Sequence, residues 1–160
     1  MSEIAKGRVY LAIIVGLLGV IAAMAYKFVI AGSTEPAADG RRAIVVEAGE
    51  RALILSEMRE FVAGLQKISA ALARDDMAGV ASAARAMGGA KSHDAPASLI
   101  GKLPLQFKTL AFSVHADFDL LAMDAEGVGM AKHTLGQLSA VLQKCVACHG
   151  SYQFRTATAP

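Results

Sequence analysis

The residues with most to offer chemically stand near the C-terminus, in the run Cys145-Val146-Ala147-Cys148-His149. On a helix, Cys145 and Cys148 at i and i+3 share a face, and His149 at i+4 from Cys145 joins them there. Each thiol can add to one vinyl group of haem to give a thioether, and the imidazole can ligate iron. C-x-x-C-H is the sequence signature of c-type haem attachment. The expectation is therefore one covalent haem c, held by Cys145 and Cys148, with His149 on the iron. Other uses of paired cysteines fit less well. A thioredoxin-like redox pair needs a βαβ setting, which the flanking sequence lacks. A zinc site needs about four ligands, and only three candidates cluster. These are the two cysteines of the chain, and they lie too close together to form a structural disulfide framework.

Positioning these groups falls to helices. Ala131, Leu135, Leu138, Leu142, Cys145 and His149 recur every three or four residues, which predicts an amphipathic helix over 130–152. The same spacing in Ile54, Met58, Phe61, Leu65, Ile68 and Leu72 predicts a first helix over 43–73. A second, over 76–88, carries Met77, Val80, Ala84 and Met87, with Asp75 or Asp76 to cap it and Gly88-Gly89 to end it. After a loop at 89–103, Pro104 suits the first turn of a third helix to about Met123, striped by Phe107, Leu110, Val114, Phe118 and Leu121. Residues 124–129 read as a break. No stretch alternates with period two over a strand-like length, so no sheet is expected. The reading is all-α: a four-helix up-and-down bundle over 43–160, whose first and last helices are antiparallel neighbours.

Ahead of the bundle stands a segment of another kind. The sequence VYLAIIVGLLGVIAAMA at 9–25 carries no charge, and after Lys27 the apolar run resumes to 31. The whole is about 23 residues, enough to cross a bilayer core. Lys6 and Arg8 precede it, which by the positive-inside tendency leaves the N-terminus in the cytoplasm. Lys27 can snorkel to the far interface. The expectation is a single-pass anchor over 1–31 in a bacterial inner membrane, a tether over 32–42 (GSTEPAADGRR), and a periplasmic domain over 43–160. The competing reading is a cleaved signal peptide, for which Ala23-Met24-Ala25 supplies an A-x-A pattern. The uncharged run is longer than the usual apolar region of such peptides, and both readings export the domain. The 160-residue chain is 54 % apolar with a net charge of +2, which gives no reason to propose nucleic-acid binding.

A helical domain with CVACH near its end resembles the class II cytochromes c, which include cytochrome c′ and its low-spin relatives. LPLQFKTLAFSVHADFDLLA (103–122) and LQKCVACHGSYQF (142–154) carry the likeness, which spans about 43–155. The resemblance implies His149 as the proximal ligand and a distal side built by the first helix. Low-spin members use a methionine there, and Met58 is the best match. Its thioether is a soft ligand, and His/Met ligation raises the reduction potential. The alternative for Met58 is plain core packing. Met77, Met87, Met123 and Met130 read as core or surface. His115, one position off the third helix's stripe, reads as a hydrogen-bonded or partly exposed histidine before a ligand, and His93 and His133 are poor candidates. Arg51, Arg59 or Lys144 could pair with a haem propionate, though each also fits a solvated helix face.

These expectations describe an electron carrier and not an enzyme: a tethered cytochrome passing single electrons between redox proteins, a donor and an acceptor, themselves membrane complexes. Gas binding at a five-coordinate iron is the alternative if Met58 does not ligate. A third reading is a haem relay subunit of a larger membrane complex. A homodimer is a further possibility, since members of this family often pair through helix faces.

Overall fold

The computed structural model describes residues 3–92 and 95–157. The N-terminal apolar run forms α1, Glu3–Ala25, and continues as π-helical turns over Tyr26–Ala31. The span Lys6–Ala31 contains an 18-residue stretch with a mean hydropathy of 2.4 and no buried residue, so this helix is long and apolar enough to cross a membrane.

The segment expected as a short tether is built into the fold. It contains β1, Thr34–Pro36, which pairs antiparallel with β2, Arg42–Val46. Gly40, at φ 84°, turns the chain between them. β3, Tyr152–Thr156, then lies parallel to β2, from Arg42 opposite Tyr152 to Val46 opposite Thr156. The first predicted helix thus gives up its start to a strand, and the domain is not purely α-helical. The cause is local and tertiary together. Ile44, Val45 and Val46 are β-branched and favour extended backbone, and a strand flanked on both sides reads as a continuous apolar run without alternation.

α2 follows over Ala48–Leu72. Glu50 caps it by accepting from the Glu47 amide at 2.9 Å. Asp75 takes a left-handed φ of 54° at the next turn, and Asp76 caps α3, Met77–Arg85, by accepting from the Gly79 amide at 2.8 Å. The expected loop contains two short helices, α4 at Gly89–Ser92 and α5 at Ala97–Lys102. α6 runs over Leu105–Gly127, past the predicted break at Asp124, because Ala122 and Ala125 still face the core. Gly129, at φ 65°, makes the turn into α7, Ala131–Ser151.

The protein is mostly helical, and its long helices pack in series: α2 on α3, α3 on α6, α6 on α7. One cluster fills the end of the molecule around α3 and includes Ile68, Val80, Phe118, Leu121, Leu138 and Val141. A second lies by the sheet, with Ile44, Val46, Ile54, Leu99 and Leu103 buried. α2 and α7 both reach the first cluster but touch each other little, unlike the close neighbours expected.

Candidate functional site

Cys145, Cys148 and His149 occupy the last two turns of α7, which stays helical through Ser151. The i, i+3, i+4 spacing therefore puts them on one side of the helix. Both cysteines are half-buried and unbonded, and His149 is exposed. Burial pushes both thiols above the ordinary cysteine value, and Cys145 raises Cys148 further. They are held as neutral thiols.

Around them α7 shows apolar side chains to the outside: Leu142 is 41 % exposed and Val146 73 %. Leu55 and Val62 of α2 are exposed too. Covering such surface is worth about 25 cal/mol per Å². Among the described residues no group of three or more His, Cys, Asp and Glu is arranged to hold a bare metal ion. Two adjacent thiols, an accessible imidazole and uncovered apolar neighbours suit a flat apolar group that brings most of the metal's ligands with it. Haem meets those terms.

The C-terminal turn of α7 is anchored by a residue the spacing did not reveal. Arg41 Nη1 donates to the His149 carbonyl at 3.2 Å and to the Tyr152 carbonyl at 3.4 Å, satisfying acceptors that a helix end leaves open. Asp39 holds the guanidinium from the other side at 2.7 Å, and Arg41 in turn draws that carboxyl below its ordinary value. A basic residue inside an expected tether gave no signal of this role, which depends on the strand pairing.

Met58 is half-buried in α2 and packs against the second cluster, together with Tyr152 and Phe154. Those two residues directly follow α7, so the fold brings Met58 to the end of the molecule that holds His149. Its neighbours are those of a packed methionine. The basic candidates are distributed differently. Arg51 Nε donates to the Phe154 carbonyl at 3.4 Å, Lys144 pairs with Asp117 at 2.5 Å, and Arg59 is exposed. Met77 is half-buried against the first cluster and Met87 is buried in it, while Met123 and Met130 are exposed.

His115 is buried and doubly engaged. Its Nδ1 lies 2.8 Å from the Met87 carbonyl, which makes that nitrogen the donor, and Nε2 lies 3.5 Å from Glu57. The hydrogen bond to Glu57 raises its pKa above the ordinary histidine value, with the Met87 carbonyl adding to it and desolvation opposing. The ring stands 5.3 Å from that of Phe61, at the edge of a cavity of about 360 Å³ between α2, α3 and α6. His133 is exposed and pairs with Asp124 at 2.9 Å. His93 lies outside the described residues.

Comparison with protein-family models, curated proteins and solved structures finds no match.

Proposed function

We propose that this chain is a membrane-anchored c-type cytochrome that transfers single electrons between redox partners on the periplasmic side of a bacterial inner membrane. In this reading α1 is the anchor, and α2, α3, α6 and α7 are the four helices of an up-and-down bundle, with the small sheet added at one end. The observation that carries it is CVACH itself, on a continuous helix, with two free half-buried thiols among uncovered apolar side chains.

Cys145 and Cys148 would hold the haem by thioether bonds, and His149 would offer its imidazole to the iron. Bound haem supplies reversible one-electron iron chemistry. Met58 would offer the iron a soft thioether as a further ligand. Arg41 keeps the helix end in place, so His149 is held by an ordered backbone. Leu142 and Val146, left open on the helix that carries the thiols, would help to cover the group and exclude water from it.

The packing of Met58 within an apolar cluster favours one second reading, a five-coordinate iron open to nitric oxide or carbon monoxide. Absorption spectroscopy of the purified chain separates the two. A pigment that resists acid-acetone extraction, with a low-spin six-coordinate spectrum and a methionine charge-transfer band, is expected. Met58→Ala should convert that spectrum to high spin. A high-spin native spectrum with free carbon monoxide binding would replace the carrier with the gas binder, and a colourless protein would remove both.

A further inference from the structure

We propose that the anchor joins the domain through a rigid bracket that holds the CVACH end of α7 at the membrane surface. The inference rests on the anchor and haem readings above and goes beyond them, because a flexible tether would set neither height nor orientation.

The bracket is visible residue by residue. Lys108, in the first turn of α6, donates through Nζ to the carbonyls of Phe28 at 2.8 Å and Val29 at 3.4 Å. It thereby fills acceptors that the end of the apolar helix would leave open, and the burial that goes with this lowers its pKa. Lys27 Nζ donates to the Gly32 carbonyl at 2.8 Å. Gly32 itself is buried at φ 64°, and a Cβ there would stand 2.4 Å from the Lys102 carbonyl oxygen and 2.6 Å from the Pro104 nitrogen. Only glycine fits so close a backbone approach. The next amide, Ser33, donates to the Lys102 carbonyl at 2.7 Å, and the Ser33 carbonyl accepts from Val45 of β2 at 2.8 Å. Between the apolar helix and the sheet no residue is free of the domain.

The same turn of α6 holds the end of α7. Phe107 packs edge-on against Tyr152 at 5.3 Å and against Phe154 at 5.4 Å. The Tyr152 hydroxyl donates to Gln106 Oε1 at 3.4 Å. Gln106 and Phe107 grip the residues just after α7, while Lys108 grips the anchor. Cys148 precedes Tyr152 by four residues, about 6 Å along a helix axis. The opposite end of the domain is remote, since the 23 residues of α6 span about 34 Å. The haem-bearing end is thus beside the point where the anchor leaves the bilayer, and the turn at 128–130 is far from it.

Spin labelling of the full chain in lipid nanodiscs tests this. With both native thiols in thioethers, Thr109→Cys and Val128→Cys each supply a single reactive site, one exposed position at either end of α6. Nickel-chelating headgroup lipid should accelerate relaxation strongly at 109, and that effect should be lost at 128. Inserting a flexible Gly-Ser segment between Gly32 and Ser33 should abolish the difference. Equal relaxation at both positions, no effect at either, or a difference that survives the insertion would overturn the bracket. Thiol labelling of the unaltered chain separates this from failure of the cofactor reading: uptake of label there sinks the haem, whatever the height of α7.

Discussion

The two ends of the domain are finished to different degrees. Around α3 lies the larger buried core. Phe118, Leu121 and Val80 are essentially inaccessible, and Ala81 and Ala84 let α3 close on its neighbours. Gly64 of α2 comes so near Met87 that a Cβ there would fall 2.1 Å from its sulfur. At the other end Ile44, Val46 and Ile54 are buried in a smaller cluster, but Leu142 and Val146 beside the cysteines are left in the open. Both ends leave some apolar side chains in the open, Met123 and Leu135 at the one and Leu142 and Val146 at the other, but only the second set lies on the helix turns that carry the thiols.

The sharpest way to break this contrast is to truncate one side chain at each end. Phe118 is 1 % exposed and stacks on Phe61 at 5.7 Å, so Phe118→Ala should cost about 3–5 kcal/mol. Val146 is 73 % exposed, and Val146→Ala in haem-free protein should change stability by less than about 0.5 kcal/mol. Urea unfolding followed by circular dichroism measures both. A large cost for Val146→Ala without haem would mean that this end is already closed.

The finished end was also the more legible in sequence. Its residues lie on long stripes at helical spacing, which set α2, α3, α6 and α7 to within a few residues of where they lie. The CVACH motif was legible for a different reason, since the chemistry is in the residue types themselves. What escaped depends on partners distant in the chain. The strand at Arg42–Val46 exists by pairing with Tyr152–Thr156, about which a local window around Ile44 says nothing. Arg41 gains its role when that pairing brings it to the end of α7. Lys108 looks like a solvated helix residue until the anchor's carbonyls are placed against it. At 124–129 the turn-forming residues suggested an early break, and burial of Ala125 overrode them.

A second prediction concerns the seam between α2 and α6. The pKa of His115 is raised in the folded protein, first by its hydrogen bond to Glu57. A raised folded pKa means that protonation stabilises the native state. That contribution is full below the unfolded value of about 6.5 and is lost as pH climbs through the higher folded value. Stability should therefore fall as pH rises above 6.5, and Glu57→Gln should flatten most of that slope. Denaturation midpoints across the pH range read it directly. A profile unchanged by Glu57→Gln would remove Glu57 as the principal cause.

The smallest effect expected comes from a contact that looks strong in geometry. Arg85 of α3 meets Glu126 of α6 at 2.5 Å, across the well-packed end of the domain. Both side chains are more than half exposed, 55 % and 56 %. Water therefore competes for each charge, and holding two long side chains in one geometry costs rotamer freedom. Exposed pairs of this kind contribute about 0.2–1 kcal/mol. Arg85→Ala should lower stability by no more than that, and about 1 M salt, where the screening length falls to roughly 3 Å, should erase most of the difference. The two helices are already held by Val80, Ala84, Phe118 and Leu121 beneath the pair. A loss of several kcal/mol on Arg85→Ala, insensitive to salt, would show that the apolar packing between α3 and α6 is weaker than their burial implies.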